Sequence, residues 1–255
     1  MSASLKPADV TAVILTRDEE RNLPRALTSL PRGMAVFVLD ARSRDHTVRF
    51  ARGAGAEVVE REWTDFVDAR CFALAQVRTP WALMLDADEA LDDVLRDGVV
   101  RAGGDVDGYC VTRTTYFCGK PMRLWRGESL LRLFRPDRVR LEARGASGAD
   151  VALHERWRSD GPVADLPGTL LHYSYPDVAT YRAKYERYTE IEAQGTQPSL
   201  AAVFSAIIAC GARCAYYLFG KGALLDGWRG VYVACHSAAY PVVVAWKALR
   251  GRPAR

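Results

Sequence analysis

Two carboxylates stand two residues apart where an apolar segment of the chain ends. The segment Trp81 to Leu85 is followed by Asp86, Ala87, Asp88 and Glu89. A strand projects alternate side chains to the same face, so Asp86 and Asp88 are expected to point together while Ala87 turns away. Paired carboxylate oxygens suit Mg²⁺ or Mn²⁺, which keep open positions for the phosphates of a nucleotide. The motif predicts a metal-diphosphate site, and its alternative is an acidic turn after which Glu89 begins a helix.

Strand-like and helix-like segments alternate in the first part of the chain. Apolar runs typical of strands lie at Val10 to Thr16, Ala35 to Leu39, Glu57 to Val59 and Trp81 to Leu85, with helical spacing between them. This alternation predicts a mostly parallel sheet with helices on both faces. Ligands of such sheets bind at the carboxyl ends of the strands. Three polar side chains fall at these ends: Thr16, Asp40 and Asp86.

Asp40 ends the second predicted strand and opens a polar loop. Its carboxylate could accept hydrogen bonds from a nucleobase N–H or a ribose hydroxyl. Ser43, Asp45 and Thr47 are residue types that cap a helix N-terminus. The sequence has no Gly-x-Gly-x-x-Gly after the first strand and no Walker-type loop, which argues against a dinucleotide-binding fold and a P-loop ATPase.

Charge is unevenly distributed along the chain. The 255 residues are 49% hydrophobic, enough to bury a full core, and the formal net charge is +4. Pro198 to Arg255 contains seven Lys/Arg and one Asp, a local charge of +6 that leaves −2 for the remainder. This asymmetry indicates an anionic partner for the C-terminal part, either a membrane surface or nucleic acid.

Cysteine spacing and the N-terminal segment predict the cellular compartment in which the protein is found. The six cysteines have no zinc-site spacing, which predicts reduced thiols in a cytosolic protein. Met1 to Asp9 contains no apolar signal core, so we expect no cleaved secretion signal.

Two long apolar stretches lie near the C-terminus, Ala201 to Phe219 and Val231 to Leu249. Polar residues or proline interrupt both: Arg213 in the first, and His236, Pro241 and Lys247 in the second. A spanning hairpin, two helices lying in the membrane interface, and a helical cap or oligomer contact all fit this pattern. We expect the interfacial arrangement, with tyrosines and tryptophans at headgroup depth.

Several further motifs follow one another in a fixed order. They are Val13-Ile14-Leu15-Thr16, Asp18-Glu19-Glu20-x-Asn22-Leu23, the Asp40 loop with Ser43, Asp45 and Thr47, Arg61-Glu62-Trp63, Asp86-Ala87-Asp88-Glu89, Asp107-Gly108-Tyr109, Trp125, Arg132-Leu133-Phe134-Arg135, His154-Glu155, and Leu171-His172-Tyr173-Ser174-Tyr175. In this order they resemble glycosyltransferase family 2, and more narrowly its lipopolysaccharide inner-core glucosyltransferase branch. The resemblance implies a GT-A fold, a nucleotide-sugar donor, a divalent metal and inversion at the anomeric carbon.

The resemblance also implies roles for residues of the donor site. Asp40 would hold the uracil or ribose, Asp86 the ribose, and Asp88 the metal that bridges the diphosphate. Thr16 and Asp18 would line the nucleotide pocket.

Further roles concern the metal shell, the diphosphate and the acceptor. His154 and His172 could complete the metal shell with Asp86 and Asp88 or contact phosphate. Arg132 could clamp a diphosphate or an acceptor phosphate because its guanidinium suits paired oxygens. Glu155 is the predicted base for the acceptor hydroxyl, and Glu128 is the second candidate.

Some positions depart from the pattern of the branch. Asp18 stands where the branch has Asn, and Arg42 and Arg44 stand where it has Gly and Thr. Two added cations near the nucleotide could favour a donor more anionic than UDP-glucose. Leu130 replaces the usual Gln, and Gly127-Glu128 replaces Pro-Asp, so the acceptor preference of the branch does not transfer.

The expected protein is an α/β GT-A glycosyltransferase in three regions. Residues 1–106 would bind the nucleotide sugar, 107–176 the acceptor, and 177–255 would form a helical membrane-associating region. We expect transfer of a hexose, from UDP, to a lipopolysaccharide-core or other lipid-linked glycan. The protein would work on an anionic membrane surface at the inner face of the cytoplasmic membrane, without nucleic acid, and homo-oligomerisation is left open.

Other functions remain open at this stage. A sugar nucleotidyltransferase would normally have a Gly-rich basic loop after the first strand, and an aspartyl phosphatase would have its Asp-x-Asp after the first strand rather than the fourth. The chain could also be a non-catalytic nucleotide-sugar-binding or membrane scaffold protein.

Overall fold

The computed structural model describes residues 4–63, 65–144 and 154–251, except for the side chains of residues 143, 144, 154 and 155. The strands are β1 (Val10–Thr16), β2 (Ala35–Asp40), β3 (Glu57–Glu60), β4 (Trp81–Asp86), β5 (Glu89–Leu91), β6 (Gly108–Phe117), β7 (Lys120–Phe134), β8 (Arg140–Arg144), β9 (His154–Arg158) and β10 (Val163–Tyr175). The helices are α1 (Leu23–Ser29), α2 (Thr47–Gly53), α3 (Phe66–Ala75), α4 (Asp93–Arg101), α5 (Val178–Gln194), α6 (Leu200–Ala215) and α7 (Trp228–Arg250).

Eight strands form one sheet in the order β3-β2-β1-β4-β7-β6-β10-β5. The first four are parallel to one another, as the alternation of strands and helices predicted. Val10, Ala12 and Ile14 of β1 pack into one apolar cluster, whereas Val13 and Leu15 pack into another. Because successive strand residues point to opposite faces, both faces of this half of the sheet are buried.

The second half of the sheet corrects the prediction of a mostly parallel arrangement. β7 pairs antiparallel with β4, and β5 pairs antiparallel with β10. β6 and β7 are joined by Cys118 and Gly119, whose φ angles are +46° and +76°. Two positive φ angles in a two-residue connection are typical of a tight hairpin, which forces the flanking strands to run antiparallel. The predicted α/β class is confirmed.

The described chain separates into two compact units. The first contains residues 4–114, 127–144 and 154–173, and includes β1 to β5 and α1 to α4. It therefore holds most of both regions that the sequence assigned to the donor and the acceptor. The division of those two regions near residue 106 stays a prediction.

The second unit contains residues 115–126 and 174–251. Its core is an aromatic cluster in which the ring of Phe117 contacts those of Tyr175, Tyr181, Trp228 and Tyr232. Among the described residues one helical segment, Leu200–Gly220, is long and apolar enough to cross a membrane, and 11% of an apolar 18-residue stretch within it is buried.

Candidate functional site

The carboxyl ends of three neighbouring parallel strands bring the predicted donor-site residues together. Thr16 pairs with Asp40 in register, and Leu15 of the same strand pairs with Asp86. These ends form one edge of the sheet in the first unit, the edge at which ligands of such sheets bind. The site predicted from the sequence is therefore assembled around this edge.

Asp40 is completely buried, and its carboxylate is engaged inside the protein. Oδ2 accepts hydrogen bonds from Thr16 Oγ1 at 2.8 Å and Ser43 Oγ at 2.6 Å, and Oδ1 accepts from the Ser43 N–H at 2.7 Å. A buried carboxylate with three donors positions those donors rather than a ligand. The structure thus holds the Asp40 carboxylate inside the protein, and its predicted contact with a base or ribose stays a prediction.

The loop after β1 is joined to the segment after β2 by five hydrogen bonds, one of them from the His46 N–H to Glu20 Oε2 at 3.1 Å. The N–H groups of Asp18, Glu19 and Glu20 donate to side-chain oxygens of Ser43, Thr47 and Asp45, and Asp18 Oδ1 accepts from the Arg44 N–H at 2.8 Å. Ser43 and Thr47 therefore bind the neighbouring loop instead of capping α2. The Asp18 carboxylate helps to hold the two loops together, and its predicted place in the nucleotide pocket stays a prediction.

Asp45 accepts hydrogen bonds that help to join the two loops, and its ionisation should make the stability of the protein depend on pH. Its carboxylate accepts from the Thr47 hydroxyl at 2.5 Å, the Thr47 N–H at 2.9 Å and the Glu20 N–H at 3.0 Å. Burial raises the pKa of Asp45, but these hydrogen bonds outweigh burial and lower the pKa below its ordinary value. The stabilisation is therefore present above the ordinary carboxyl pKa and is lost as the pH falls through the lowered value.

We expect Asp45→Ala to be less stable than the wild type by about 1–3 kcal/mol at pH 7, because three hydrogen bonds are lost. The difference should shrink as the pH falls from 5 towards 2, as urea unfolding at each pH would measure. Asp97→Ala, which breaks an exposed helical ion pair with Arg101, is the control and should cost less than about 1 kcal/mol. A constant difference for Asp45→Ala at all pH values would contradict the role of its ionised form.

Asp86 is held between two arginines. Arg70 Nη2 lies 2.8 Å from Asp86 Oδ1, and Arg132 Nη2 lies 3.2 Å from Asp86 Oδ2. Burial raises the pKa of Asp86, but the charges of Arg70 and Arg132 outweigh it and hold the pKa far below its ordinary value. Both oxygens of Asp86 thus serve an ion-pair network in this structure, although the sequence predicted a metal and ribose ligand.

Glu89 lies at the centre of the same network. Its side chain is fully buried, and Oε1 accepts from Arg132 Nη2 at 2.6 Å and Arg113 Nη1 at 3.2 Å. Oε2 accepts from the Asp86 N–H at 3.0 Å, which closes the turn after β4. Glu89 begins the short strand β5, so the alternative expectation that it begins a helix is wrong.

Arg132 is buried within this acidic surrounding. Burial lowers the pKa of its guanidinium, but the charges of Glu89 and Asp86 raise it above its ordinary value. Its Nε, also buried, has no hydrogen-bond partner among the described residues. Because Nε has almost no accessible surface, the diphosphate-clamp role of Arg132 stays a prediction.

Asp88 lies beside His172, and their roles in a metal shell stay a prediction. Asp88 Oδ2 lies 3.3 Å from His172 Nε2, and both side chains are mostly buried. The Asp88 carbonyl accepts from the Tyr173 N–H at 2.8 Å, and His172 pairs with Glu89 where β10 meets β5. In the described part of the chain no cluster of three or more His, Cys, Asp or Glu side chains forms a metal site.

The two candidate bases differ in what the structure describes of their surroundings. Glu128 Oε2 lies 2.6 Å from Arg113 Nη2, and Arg113 also contacts Glu89, so Glu128 joins the network around the acidic motif. Glu155 lies on β9, where its backbone pairs with Ala143, but its side chain falls outside the described residues. Arg156, its neighbour, has Nη2 3.7 Å from Glu128 Oε1.

Three residues of the network were missed by sequence reasoning: Arg70, Arg113 and Glu89. Glu89 was visible as the last residue of the acidic motif. Arg70 on α3 and Arg113 on β6 carried no local signal, because each reaches the motif only after long-range packing. They show that the site is a charge network as well as a pair of carboxylates.

Comparison with known families settles the relationship of this chain. The sequence profile of the family described as "Glycosyl transferase family 2" matches residues 11–154, more than half of the chain. The chain belongs to glycosyltransferase family 2. The matched segment contains the three strand ends, the acidic motif and the Arg113–Glu128 pair described above.

Family 2 relatives differ in how much of the chain they cover. An uncharacterized glycosyltransferase of Rickettsia typhi is 31% identical over 130 residues, which are 50% of this chain and 43% of that protein. The chain thus spans less than half the length of that relative. The lipopolysaccharide core biosynthesis glycosyltransferase LpsC of Rhizobium meliloti is 26% identical over 269 residues, 96% of this chain and 95% of LpsC.

A solved mannosyltransferase structure shares the fold. The mannosyltransferase PcManGT from Pyrobaculum calidifontis, solved with GDP-Man and Mn²⁺, is 17% identical with a TM-score of 0.51. The match covers 97% of this chain and 89% of PcManGT. The expected GT-A fold is confirmed by this likeness.

Proposed function

We propose that this family 2 protein is an inverting glycosyltransferase that moves a hexose from a nucleotide sugar, UDP-hexose, to a lipopolysaccharide-core or other lipid-linked glycan. The observation that carries the proposal is the acidic motif at the carboxyl end of β4, where Asp88 faces His172. That edge of the sheet is where a nucleotide would bind. The name of LpsC, which matches nearly the full chain, supports the class of acceptor.

Mg²⁺ or Mn²⁺ is the proposed cofactor, and Asp88 and His172 would hold it. A carboxylate and an imidazole 3.3 Å apart form a donor pair that fits such an ion, with diphosphate oxygens and water in the remaining positions. The ion would neutralise charge that develops on the leaving nucleoside diphosphate. Mn²⁺ in the PcManGT structure is consistent with this choice.

The buried network around Asp86 would prepare the diphosphate site. Asp86 and Glu89 orient Arg132, whose guanidinium is of the type that binds paired phosphate oxygens. We therefore assign Asp86 a positioning role towards the arginines. Thr16, Asp18 and Asp40 would shape the nucleotide pocket by holding the two loops together.

Glu155 is the proposed base that takes the proton of the acceptor hydroxyl, with Glu128 as the second candidate. A base must lie near the acceptor and opposite the leaving group. The approach of Arg156 to Glu128 supports the view that β9 and the Glu128 end of the network serve the same side of the site.

The two candidates can be separated by paired variants. If Glu155 is the base, Glu155→Gln should lower kcat by about 100-fold or more while leaving the affinity for a nucleoside diphosphate unchanged. Glu128→Gln should then lower kcat much less, because it removes only an ion-pair partner of Arg113 and Arg156. Calorimetry with UDP and steady-state kinetics would measure both quantities. A parallel loss of UDP affinity and rate in Glu155→Gln would make it a donor-site residue, and a larger loss in Glu128→Gln would transfer the role to Glu128.

The main alternative is a nucleotide-sugar-binding scaffold without turnover. A panel that includes UDP-hexoses and GDP-mannose, offered with a membrane extract as acceptor, separates the two. Transfer of labelled sugar to the lipid fraction supports the enzyme. Binding of a donor without transfer from any member of the panel would favour the scaffold, and formation of nucleotide sugar from sugar phosphate and nucleoside triphosphate would favour a nucleotidyltransferase.

The proposed location is the cytoplasmic face of a bacterial membrane. The charge of +6 in Pro198 to Arg255 supports attraction to anionic lipids. A lipid-linked acceptor would bring its glycan to the same surface.

A further inference from the structure

The outward face of α6 reverses the usual pattern of a water-exposed helix. Large apolar side chains are exposed along it: Leu200, Phe204, Ile207 and Ile208, at 66%, 65%, 52% and 81%. The remaining exposed residues between 200 and 215 are Ala, Gly and Ser. A surface helix normally directs its polar residues outward, and a contiguous apolar strip of this kind marks an interaction surface.

The only charged residue of α6 turns inward. Arg213 donates through Nη2 to the Ala206 carbonyl at 2.8 Å and through Nε to the Ala238 carbonyl of α7 at 3.3 Å. The guanidinium is thereby removed from the outer face. The charge that interrupted the apolar pattern in the sequence does not interrupt the apolar surface.

The strip continues into the connection between α6 and α7. Tyr216, Phe219, Leu225 and Trp228 are each more than half exposed there. We name the outer face of α6 together with these residues the apolar strip. An aromatic and aliphatic surface of this kind fits the region between lipid headgroups and acyl chains.

Cations border the apolar strip. Lys221 is exposed in the connection, and the guanidinium group of Arg229 lies 4.9 Å from the ring centre of Trp228, a residue of the strip. Asp226, the one acidic residue between positions 198 and 255, accepts from the Arg123 N–H at 2.8 Å, and its single charge leaves the seven Lys/Arg of this region in excess. The border of the apolar strip therefore carries a net positive charge, which attracts anionic lipid and repels a second copy of the same surface.

Within the second unit, hydrogen bonds and an ion pair join α7 to the polar helix α5, and the turn before α7 is joined to the β6–β7 hairpin. The Tyr185 hydroxyl of α5 donates to the His236 carbonyl at 3.2 Å, and Lys247 pairs with Glu186 of α5 at 2.6 Å. At the other end, Asp226 binds the hairpin through Arg123. α5 carries six charged residues, so it does not suit a hydrocarbon environment. A spanning hairpin of α6 and α7 would carry these attached elements into the bilayer.

We infer that the apolar strip is a membrane-binding surface on which α6 lies in the plane of an anionic bilayer, with one face on α7 and the other in lipid. Of the arrangements expected from the sequence, this is the one in which the helices lie in the membrane interface, and the apolar strip is the surface that would contact lipid. The inference rests on the proposed membrane location but not on the proposed reaction.

Vesicle flotation of the full chain tests the surface. The wild type should float with vesicles of phosphatidylethanolamine and phosphatidylglycerol, and far less with phosphatidylcholine alone. Phe204→Asp/Ile208→Asp should weaken binding by about tenfold or more, because two exposed apolar contacts are replaced by charges that anionic lipid repels. The matched control is Phe50→Asp/Val94→Asp, two exposed apolar residues of the first unit, which should bind as the wild type does.

Several outcomes would overturn the inference. Equal flotation of wild type and Phe204→Asp/Ile208→Asp would exclude the strip, provided that circular dichroism shows both to be folded. A wild type that ignores the vesicles and is dimeric by light scattering, with a monomeric variant, would assign the strip to self-association. Flotation requires no donor or metal, so its failure leaves the proposed reaction standing. Conversely, an inactive protein that still floats would leave the surface standing.

Depth measurement tests the in-plane orientation. Nitroxide labels on cysteines introduced at residues 204, 208 and 215, in a chain whose natural cysteines are replaced by serine, should report one common depth. A spanning helix would place residues 204 and 215 about 16 Å apart in depth. That result would overturn the in-plane arrangement even if the protein binds vesicles.

Discussion

Asp88→Asn is expected to lower donor turnover by about two orders of magnitude or more while the protein stays folded, because the metal shell loses its charged ligand. The substitution keeps the size of the side chain, and the Asp88 carbonyl that accepts from Tyr173 is unchanged. Release of nucleoside diphosphate should be measured across a titration of Mn²⁺. The apparent affinity for the ion should weaken together with the rate.

Asp93→Asn is the matched control for this variant. Asp93 lies in the first turn of α4 with an exposed carboxylate that pairs with Arg96. Its loss should leave both rate and metal affinity within about twofold of the wild type, since exposed pairs contribute little. Near-normal turnover of Asp88→Asn in metal-free buffer would remove Asp88 from the metal site.

Arg132→Met is expected to lower the free energy of unfolding by about 3–5 kcal/mol, because it leaves the buried charge of Glu89 with one remaining partner. The Glu89 side chain has no exposure, and its shortest ion pair is the one to Arg132 at 2.6 Å. Urea unfolding followed by circular dichroism would measure the change. Arg113 alone should not compensate, since it is shared with Glu128.

Two further variants define the origin of this loss. Arg96→Met breaks the exposed pair with Asp93 and should cost less than about 1 kcal/mol. Arg132→Met/Glu89→Gln should be more stable than Arg132→Met alone, because the second change removes the stranded charge. Equal stability of Arg132→Met and Arg96→Met would mean that the network is not a buried ionic core.

Local pattern was sufficient for the parallel half of the fold. β1 has the predicted bounds, and β2, β3 and β4 each extend one residue beyond the prediction. These strands are apolar on both faces, a signal that short windows of sequence retain. The antiparallel half was missed because β6, β7 and β10 are long, mixed strands whose direction depends on a tight hairpin and on distant pairing.

Motifs predicted which residues belong to the site but not which of these residues contact one another. Asp86, Asp88, His172 and Arg132 were named from motifs, and the structure brings them together. The sequence could not tell which carboxylate faces an arginine and which faces a histidine. That choice depends on Arg70, which reaches Asp86 from α3.

The sequence also could not predict which polar side chains are buried and which are exposed. Asp40 was expected at a ligand because it ends a strand, yet its loop folds back and buries it. Arg213 was expected to interrupt an apolar surface, yet it turns inward to backbone carbonyls. Both outcomes depend on which side chain a loop or a neighbouring helix offers as a partner.

Transfer of labelled hexose from a nucleotide sugar to membrane lipid tests the central claim most directly. With Mn²⁺ and a membrane extract, the full-length protein should move label from one member of the donor panel to the lipid fraction, with inversion at the anomeric carbon. Chelation of the metal or Asp88→Asn should abolish this transfer, whereas Asp93→Asn should not. Transfer that proceeds without metal, that retains anomeric configuration, or that never occurs with any donor would contradict the account.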